Sequence, residues 1–375
     1  MIESDDWGAI RMPSLQIRDK LRQQGICFSF YGYDDVDTLA SKEDLEALFG
    51  VLSRHKDKNG NHPIITANTI MTNPDFRKIA QSGFQDYYYE LFTETLKRYY
   101  PNDNVFSVWQ EGITARLFQP QFHGREHVNV QMWLEYLRAG NECVRKAFNC
   151  EVYSPLIRED VRKKFLHTYN IAKEEEKSFV RNSISEGLRL FEQIFGFKSL
   201  STIAPSFTWD EYVEQAFDEN GVKYIQGSLV QCTSKLDGRK IIRHHTGQVN
   251  KLSQIYMVRN ASFEPSQCSG QDVVSECLKD IQNAFFWHKP AIISAHRLNF
   301  IGELNKRNRL DNLVALDILL RKILLRYSDV EFMSSEQLGE IIKKLTNDSK
   351  CVHLCLKRTN KAYKILVVIP LFSPK

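Results

Sequence analysis

The chain has 375 residues, enough for one large domain or two ordinary ones. Hydrophobic residues make up 42 % and charged residues 26 %, the balance of a globular protein, and the net charge of +4 is small for this length. Lys and Arg are interleaved with Asp and Glu rather than gathered on one stretch, which argues against a nucleic-acid partner.

The opening "MIESDDWG" carries acidic residues where a secretory leader needs a basic stretch and then an apolar one. No run approaches the ~18 apolar residues of a membrane span. The eight cysteines, at 27, 143, 150, 232, 268, 277, 351 and 355, form no CxxC pair and suggest reduced thiols. A cytoplasmic location is the expectation. "CVHLC" at 351–355 reads as an amphipathic strand or helix end before it reads as a metal site.

In chain order, a short apolar or β-branched run is followed repeatedly by a longer segment of helical period. Strands are expected at Ile2–Ser4, Pro63–Met71, Ala115–Pro120, Ser201–Pro205, Lys223–Gly227, Gln254–Ser262 and Ala291–Ala295. The first is short for a core strand, as if its start were trimmed. Helices are expected at Lys42–Ser53, Tyr87–Tyr99, Val128–Phe148, Lys173–Phe195, Asp210–Asn220, Gln271–Phe286 and Asn308–Arg326. "SKEDLEALF" opens the first of these with Ser41 as N-cap and Asp44 three residues on.

Strands alternating with helices imply parallel pairing, because each crossover helix returns the chain to the same end of the sheet. Seven of them suit an α/β fold of the deformed seven-stranded parallel (β/α) barrel type, a single domain over 1–345, better than an open dinucleotide-binding sheet. No GxGxxG follows any expected strand. The tail 346–375 adds the apolar run Ile365–Leu371, an extra strand or a partner-binding end.

In a parallel barrel the chemistry gathers at the C-terminal strand ends. The first strand runs into "SDDWG" with Asp5 and Asp6, the third into "QFHGREH" with His123 and His127, and the last, "PAIISAH", delivers His296. Singly, each has a plainer reading: helix caps for the aspartates, a surface pair for His123 and His127, a satisfied core histidine for His296. If helical, His123 and His127 at i and i+4 share a face and can grip one ion. Jointly, two carboxylates and three histidines fall at one rim.

This order of motifs resembles the polysaccharide deacetylase superfamily (NodB homology, carbohydrate esterase family 4), in particular a divergent bacterial subgroup associated with surface polysaccharides. The resemblance spans most of 1–345. It lies in "ESDDWG", "FHGREHVN" and "SAHRLNF" and is weak in the middle of the chain. It implies a metal-dependent hydrolase that removes an acetyl or other acyl group from an N- or O-acetylated carbohydrate, with metal-bound water as nucleophile. Asp6, His123 and His127 become the metal ligands, Asp5 the general base and His296 the general acid. The metal is a divalent cation, zinc first, with cobalt or nickel as alternatives. Trp7, Phe122, Phe207, Trp209 and Phe300 lie beside the proposed ligands. At least three of the five read as packing, and Trp7, Phe207 and Trp209 are put forward as sugar-stacking faces.

One motif departs from the pattern. The family's third motif carries an arginine that tethers the catalytic base, and "IAPSFTW" has none; Arg11 and Arg297 are the substitutes at hand. The aspartate–tryptophan motif that often follows is also missing, since Trp209–Asp210 reverses the order. These gaps keep open a catalytically impaired carbohydrate- or metal-binding protein. "HGREH" also reads as the HxxEH motif of a zinc peptidase, with Glu126 as base and a third ligand among Glu174, Glu175 and Glu176. That reading leaves Asp5, Asp6 and His296 unexplained. A metal-free glycosidase would need a carboxylate pair and no histidine pair. The acyl group, the sugar and the oligomeric state are not encoded in any motif.

Overall fold

The computed structural model describes residues 1–26, 33–154, 165–268 and 271–347. Twelve strands occur among them: β1 (Ile2–Trp7), β2 (Ile65–Ile70), β3 (Thr72–Pro74), β4 (Tyr89–Leu91), β5 (Phe118–Gly124), β6 (Ser201–Ile203), β7 (Tyr224–Gly227), β8 (Val230–Cys232), β9 (Ile241–Arg243), β10 (Ile255–Val258), β11 (Ala261–Ser262) and β12 (Ile293–His296). Eight of them form one parallel sheet in the order β10-β7-β6-β5-β2-β1-β12-β11. β3–β4 and β8–β9 are separate antiparallel ribbons.

The two edges of the large sheet are joined by two residues. Arg259 N donates to Gly227 O at the end of β7, at 2.8 Å, and Asn260 N donates to Ile292 O just before β12, at 3.0 Å. The sheet therefore curls until its edges meet across a single peptide, which leaves no long open edge to be covered. The expected strand Gln254–Ser262 is divided at this seam into β10 and β11. Counted as one interrupted strand, the pair restores the expected seven.

The outer faces of the strands pack on helices. Trp7 lies edge-on to Trp109 and Phe118 at ring-centroid distances of 5.9 and 4.8 Å. Each such buried ring contributes on the order of 1.5–3 kcal/mol. The inner faces are polar. Gln226 accepts from Asn68 Nδ2 and donates to the hydroxyls of Ser201 and Ser335, and Gln121 Oε1 accepts from Ser199 and Ser201. Ser335, which also donates its N–H to Thr66 Oγ1, opens the helix Ser335–Asn347 beneath the barrel. Buried polar side chains persist where partners satisfy them, and this network pairs both ends of the Gln226 amide together with Gln121 Oε1 and Asn68 Nδ2.

Several boundaries differ from expectation. The helix expected over Tyr87–Tyr99 begins only at Phe92, after β4, and Val128–Phe148 is two helices, Val130–Arg138 and Glu142–Phe148, broken at Gly140 with φ 73°. The capping box of Ser41 and Asp44 is formed. The last helix runs past 345 to Asn347, while 348–375, including "CVHLC" and Ile365–Leu371, lies outside the described residues. No helix among the described residues is long and apolar enough to cross a membrane.

Candidate active site

Successive strand residues point to opposite faces, so an unbroken β1 would send Asp5 and Asp6 to opposite sides of the sheet. The register with β2 shifts between Ser4 and Trp7, and Asp6 adopts φ 71°. This bulge turns both carboxylates to the mouth and sends Trp7 outward into the helical layer.

His123 is the penultimate residue of β5. Gly124 follows at φ 154°, where an added Cβ would stand 3.0 Å from Glu126 O, and His127 comes back on the loop before Val130–Arg138. The expected helical i, i+4 pair is thus a strand end and a returning loop. The rings still meet, with centroids 5.2 Å apart.

Their Nε2 atoms face Asp6 Oδ1, His123 at 3.5 Å and His127 at 3.1 Å. One ligand atom from each of Asp6, His123 and His127 lies within 4.8 Å of the others, and all three residues are buried. His123 Nδ1 donates to Ile203 O at 2.9 Å, which leaves the Nε2 lone pair free to ligate. Burial outweighs the nearby Asp6 charge and holds His127 below the ordinary histidine value. Arg11 Nη2 donates to Asp6 Oδ2 at 3.0 Å. Although burial opposes ionisation of Asp6, Arg11 and the two histidines keep its carboxyl well below the usual range. A carboxylate and two imidazoles that keep lone pairs fit a zinc-like cation with open positions.

Asp5 is held from the seam. Arg259 donates to both of its oxygens, at 2.7 and 2.6 Å, and through Nε to Glu3 Oε2 at 2.7 Å. Asn68 Nδ2 adds a bond to Asp5 Oδ1 at 2.7 Å. Burial favours a neutral Asp5, but the guanidinium outweighs it and holds the carboxyl well below the usual range. Glu3, also on that guanidinium, is pushed up to about 7 because burial dominates there.

His296 is the register partner of Asp5 on the neighbouring strand, with Nε2 3.9 Å from Asp5 Oδ2. Its Nδ1 bonds Glu264 Oε1 at 2.6 Å, and Asn299 Nδ2 fixes the other oxygen of Glu264 at 2.7 Å. Desolvation lowers the His296 pKa, but Glu264 first and then the two aspartates carry it up to about 9. The ring of Tyr33 packs edge-on against His296 at 5.7 Å.

The arginine missing from the third motif has a counterpart elsewhere. Neither expected substitute takes the role: Arg11 serves Asp6, and Arg297 binds Asp37 Oδ1 through Nε and Nη2 at 3.1 and 2.8 Å. Reading Gln254–Ser262 as one strand hides the strand end in "YMVRN" and with it Arg259, whereas Glu264, two residues past Ser262, stands at the expected strand end and belongs to none of the recognised motifs. Once the break is known, Arg259 obeys the same strand-end rule as the other site residues.

Two aromatic expectations are corrected. Trp7 is 1 % exposed, with its indole N–H on Ser4 Oγ, and Trp209 is 1 % exposed, with its N–H on Glu214 Oε1. Neither can stack on a sugar. Phe122 and Phe300 are buried as well. Phe207, half-buried with its ring 6.0 Å from the Arg259 guanidinium, is the one of the five left at the mouth. The HxxEH reading also fails on geometry. Residues 122–127 form no helix, buried Glu126 is tied to Arg125 Nε at 2.5 Å and Ser183 Oγ at 2.8 Å, and Glu176 accepts backbone N–H groups at its own helix start.

No family model matches the chain, and no curated protein does. Among solved structures it is similar to a protein described as a polysaccharide deacetylase from Mycobacterium smegmatis, at 10 % identity and TM-score 0.43, covering 96 % of this chain and 94 % of that one. A second, described as a polysaccharide deacetylase from Pseudomonas aeruginosa PAO1, gives 10 % identity and TM-score 0.45 over 93 % and 91 %. An alpha-amylase from Thermotoga maritima gives 8 % identity and TM-score 0.45 over 91 % and 74 %. Likeness at this level carries no argument about function, so the reading below stands on the chain's own residues.

Proposed function

We propose that the protein is a metal-dependent hydrolase that removes an acyl group, acetyl first, from an N- or O-acylated carbohydrate. The observation that carries this reading is the adjacency of a three-ligand cluster, Asp6, His123 and His127, to a separately tethered pair, Asp5 and His296.

Asp6, His123 and His127 would hold a divalent cation, with zinc the first choice and cobalt or nickel the alternatives, and when bound it would supply Lewis acidity toward water and the acyl carbonyl. Asp5, kept ionised by Arg259, takes a proton as water attacks the acyl carbon. So strongly paired a carboxylate is a weak base, and its advantage is position. His296 carries a proton at ordinary pH and delivers it from Nε2 to the departing amine or alkoxide while Glu264 holds its other nitrogen. Phe207 is the proposed stacking face for the sugar ring. The proposed site of action is the cytoplasm, on a precursor rather than a finished wall polymer. The impaired-enzyme reading drew its support from the absent tether, and Arg259 removes that support.

The test is elemental analysis of the purified protein beside Asp6→Ala and His127→Ala, followed by assays on acetylated amino sugars. One divalent ion per chain, lost in both variants, together with acetate release that Asp5→Asn abolishes while metal is retained, is the expected result. Metal retained by Asp6→Ala, or none in the parent protein after added zinc, would overturn it.

A further inference from the structure

The ribbon β8–β9 rises from the C-terminal end of β7 and stands beside the mouth. Cys232 bridges to Thr208 and accepts from Trp209 N at 3.0 Å, next to Phe207. The ribbon is closed by Thr233 N on Lys240 O at 2.9 Å and Arg239 N on Ser234 O at 3.0 Å.

Its surface joins two properties that water-facing hairpins rarely combine. Ile241 and Ile242 are 68 % and 39 % exposed, and Leu229 at the ribbon's base is 56 % exposed. Consecutive strand residues face opposite ways, and both isoleucines still reach solvent, Ile241 on the open face and Ile242 in part, opposite the buried Gln231. Around them, Lys235, Arg239, Lys240 and Arg243 are all exposed, and none makes an ion pair among the described residues. Asp237 is the single carboxylate between 235 and 243.

We infer that this ribbon docks the mouth of the barrel onto an anionic lipid bilayer. A bilayer interface accepts apolar side chains at the headgroup boundary and draws basic ones to its negative surface, so one occupant satisfies both groups. A soluble polyanion would neutralise the lysines and arginines but leave Ile241 and Ile242 in water. The docked site would then meet substrates presented at a membrane surface, the acylated saccharide of a lipid-linked precursor; this last step alone rests on the deacylase reading.

The test is flotation of the full chain with phosphatidylcholine vesicles, with and without phosphatidylglycerol, at low and high salt. Binding is expected only with phosphatidylglycerol and is expected to weaken as salt screens the basic groups. Ile241→Ser/Ile242→Ser and Lys240→Glu/Arg243→Glu should each lose about tenfold or more in affinity, with circular dichroism and metal content unchanged. No binding to either vesicle, or equal binding by the parent and both variants, would overturn the inference. Retention on heparin without vesicle binding would replace the bilayer with a soluble polyanion, and a dimer lost in the isoleucine variant without vesicle binding would replace it with a second copy. No arm requires turnover, so failure here and failure of the deacylase reading are distinguishable.

Discussion

Arg259 grips both carboxylate oxygens of Asp5, at 2.6 and 2.7 Å, from a position 254 residues further along the chain. The contact exists because Arg259 occupies the seam where the curled sheet closes, one strand beyond His296. Closure of the barrel and orientation of the proposed base are thus one structural event.

Replacing Arg259 with Met should therefore damage both. Two buried carboxylates, Glu3 and Asp5, lose their guanidinium, and breaking a buried pair of this kind costs about 3–5 kcal/mol. Urea unfolding should show that loss, carried chiefly by Asp5, because Glu3, already pushed up to about 7 by burial, takes up a proton once the guanidinium is gone. Where the protein still folds, kcat should fall roughly 10–100-fold because the base is no longer oriented. An unchanged unfolding midpoint would show that the pair carries no net stability.

Glu264→Gln tests the proposed acid. In the parent protein His296 titrates near 9, above the usual value of 6.5, chiefly because Glu264 faces it. A group raised on folding contributes stability that is complete below about 6.5 and lost as pH rises through about 9. The variant should lose that pH dependence. The alkaline limb of kcat/KM, which reports deprotonation of the acid, should move down toward neutrality. A pH profile identical to the parent's would remove His296 from the proton-donor role.

Added zinc should raise the melting temperature of the parent protein and leave Asp6→Ala unmoved. At a free concentration about 100 times Kd the stabilisation is ~2.7 kcal/mol. Chelation should reverse it. A zinc-induced shift of equal size in Asp6→Ala would place the ion elsewhere.

Trp209 and Phe207, neighbours in sequence, should separate cleanly. Trp209→Ala empties a fully buried site and breaks a bond to Glu214, so it should cost about 3–5 kcal/mol of stability. Phe207→Ala lies at the mouth and should instead raise KM with a far smaller effect on unfolding. KM unchanged in Phe207→Ala would leave the sugar face unassigned.

Gly124→Ala probes the turn between the two histidines. A side chain at φ 154° is strained, and its Cβ would press on Glu126 O at 3.0 Å. Zinc affinity should fall although no ligand atom is removed. Parent-like affinity would show that the loop can relax without moving His127.

The alternation of β-branched runs and amphipathic segments determined the parallel barrel, because each crossover helix must return the chain to the same end of the sheet. The strand-end rule then placed Asp5, Asp6, His123, His127 and His296 at one rim, because polar residues follow each apolar run, although β1 and β5 run on to Trp7 and Gly124, past the expected ends. Other features were decided only in three dimensions. The polar residues of "FQPQFHG" alternate as they would on a solvent-facing strand, and "IESDDW" and "ITANTI" are as polar, but closure of the sheet turns Asp5, Asn68 and Gln121 into a buried hydrogen-bonded interior. Trp7 and Trp209 stand beside site residues in sequence and still point into packing layers, because a bulge and a helix start set their direction. The tether of Asp5 comes from Arg259, and no local signal could name it: a contact between residues so far apart exists only once the two edges of the sheet have met.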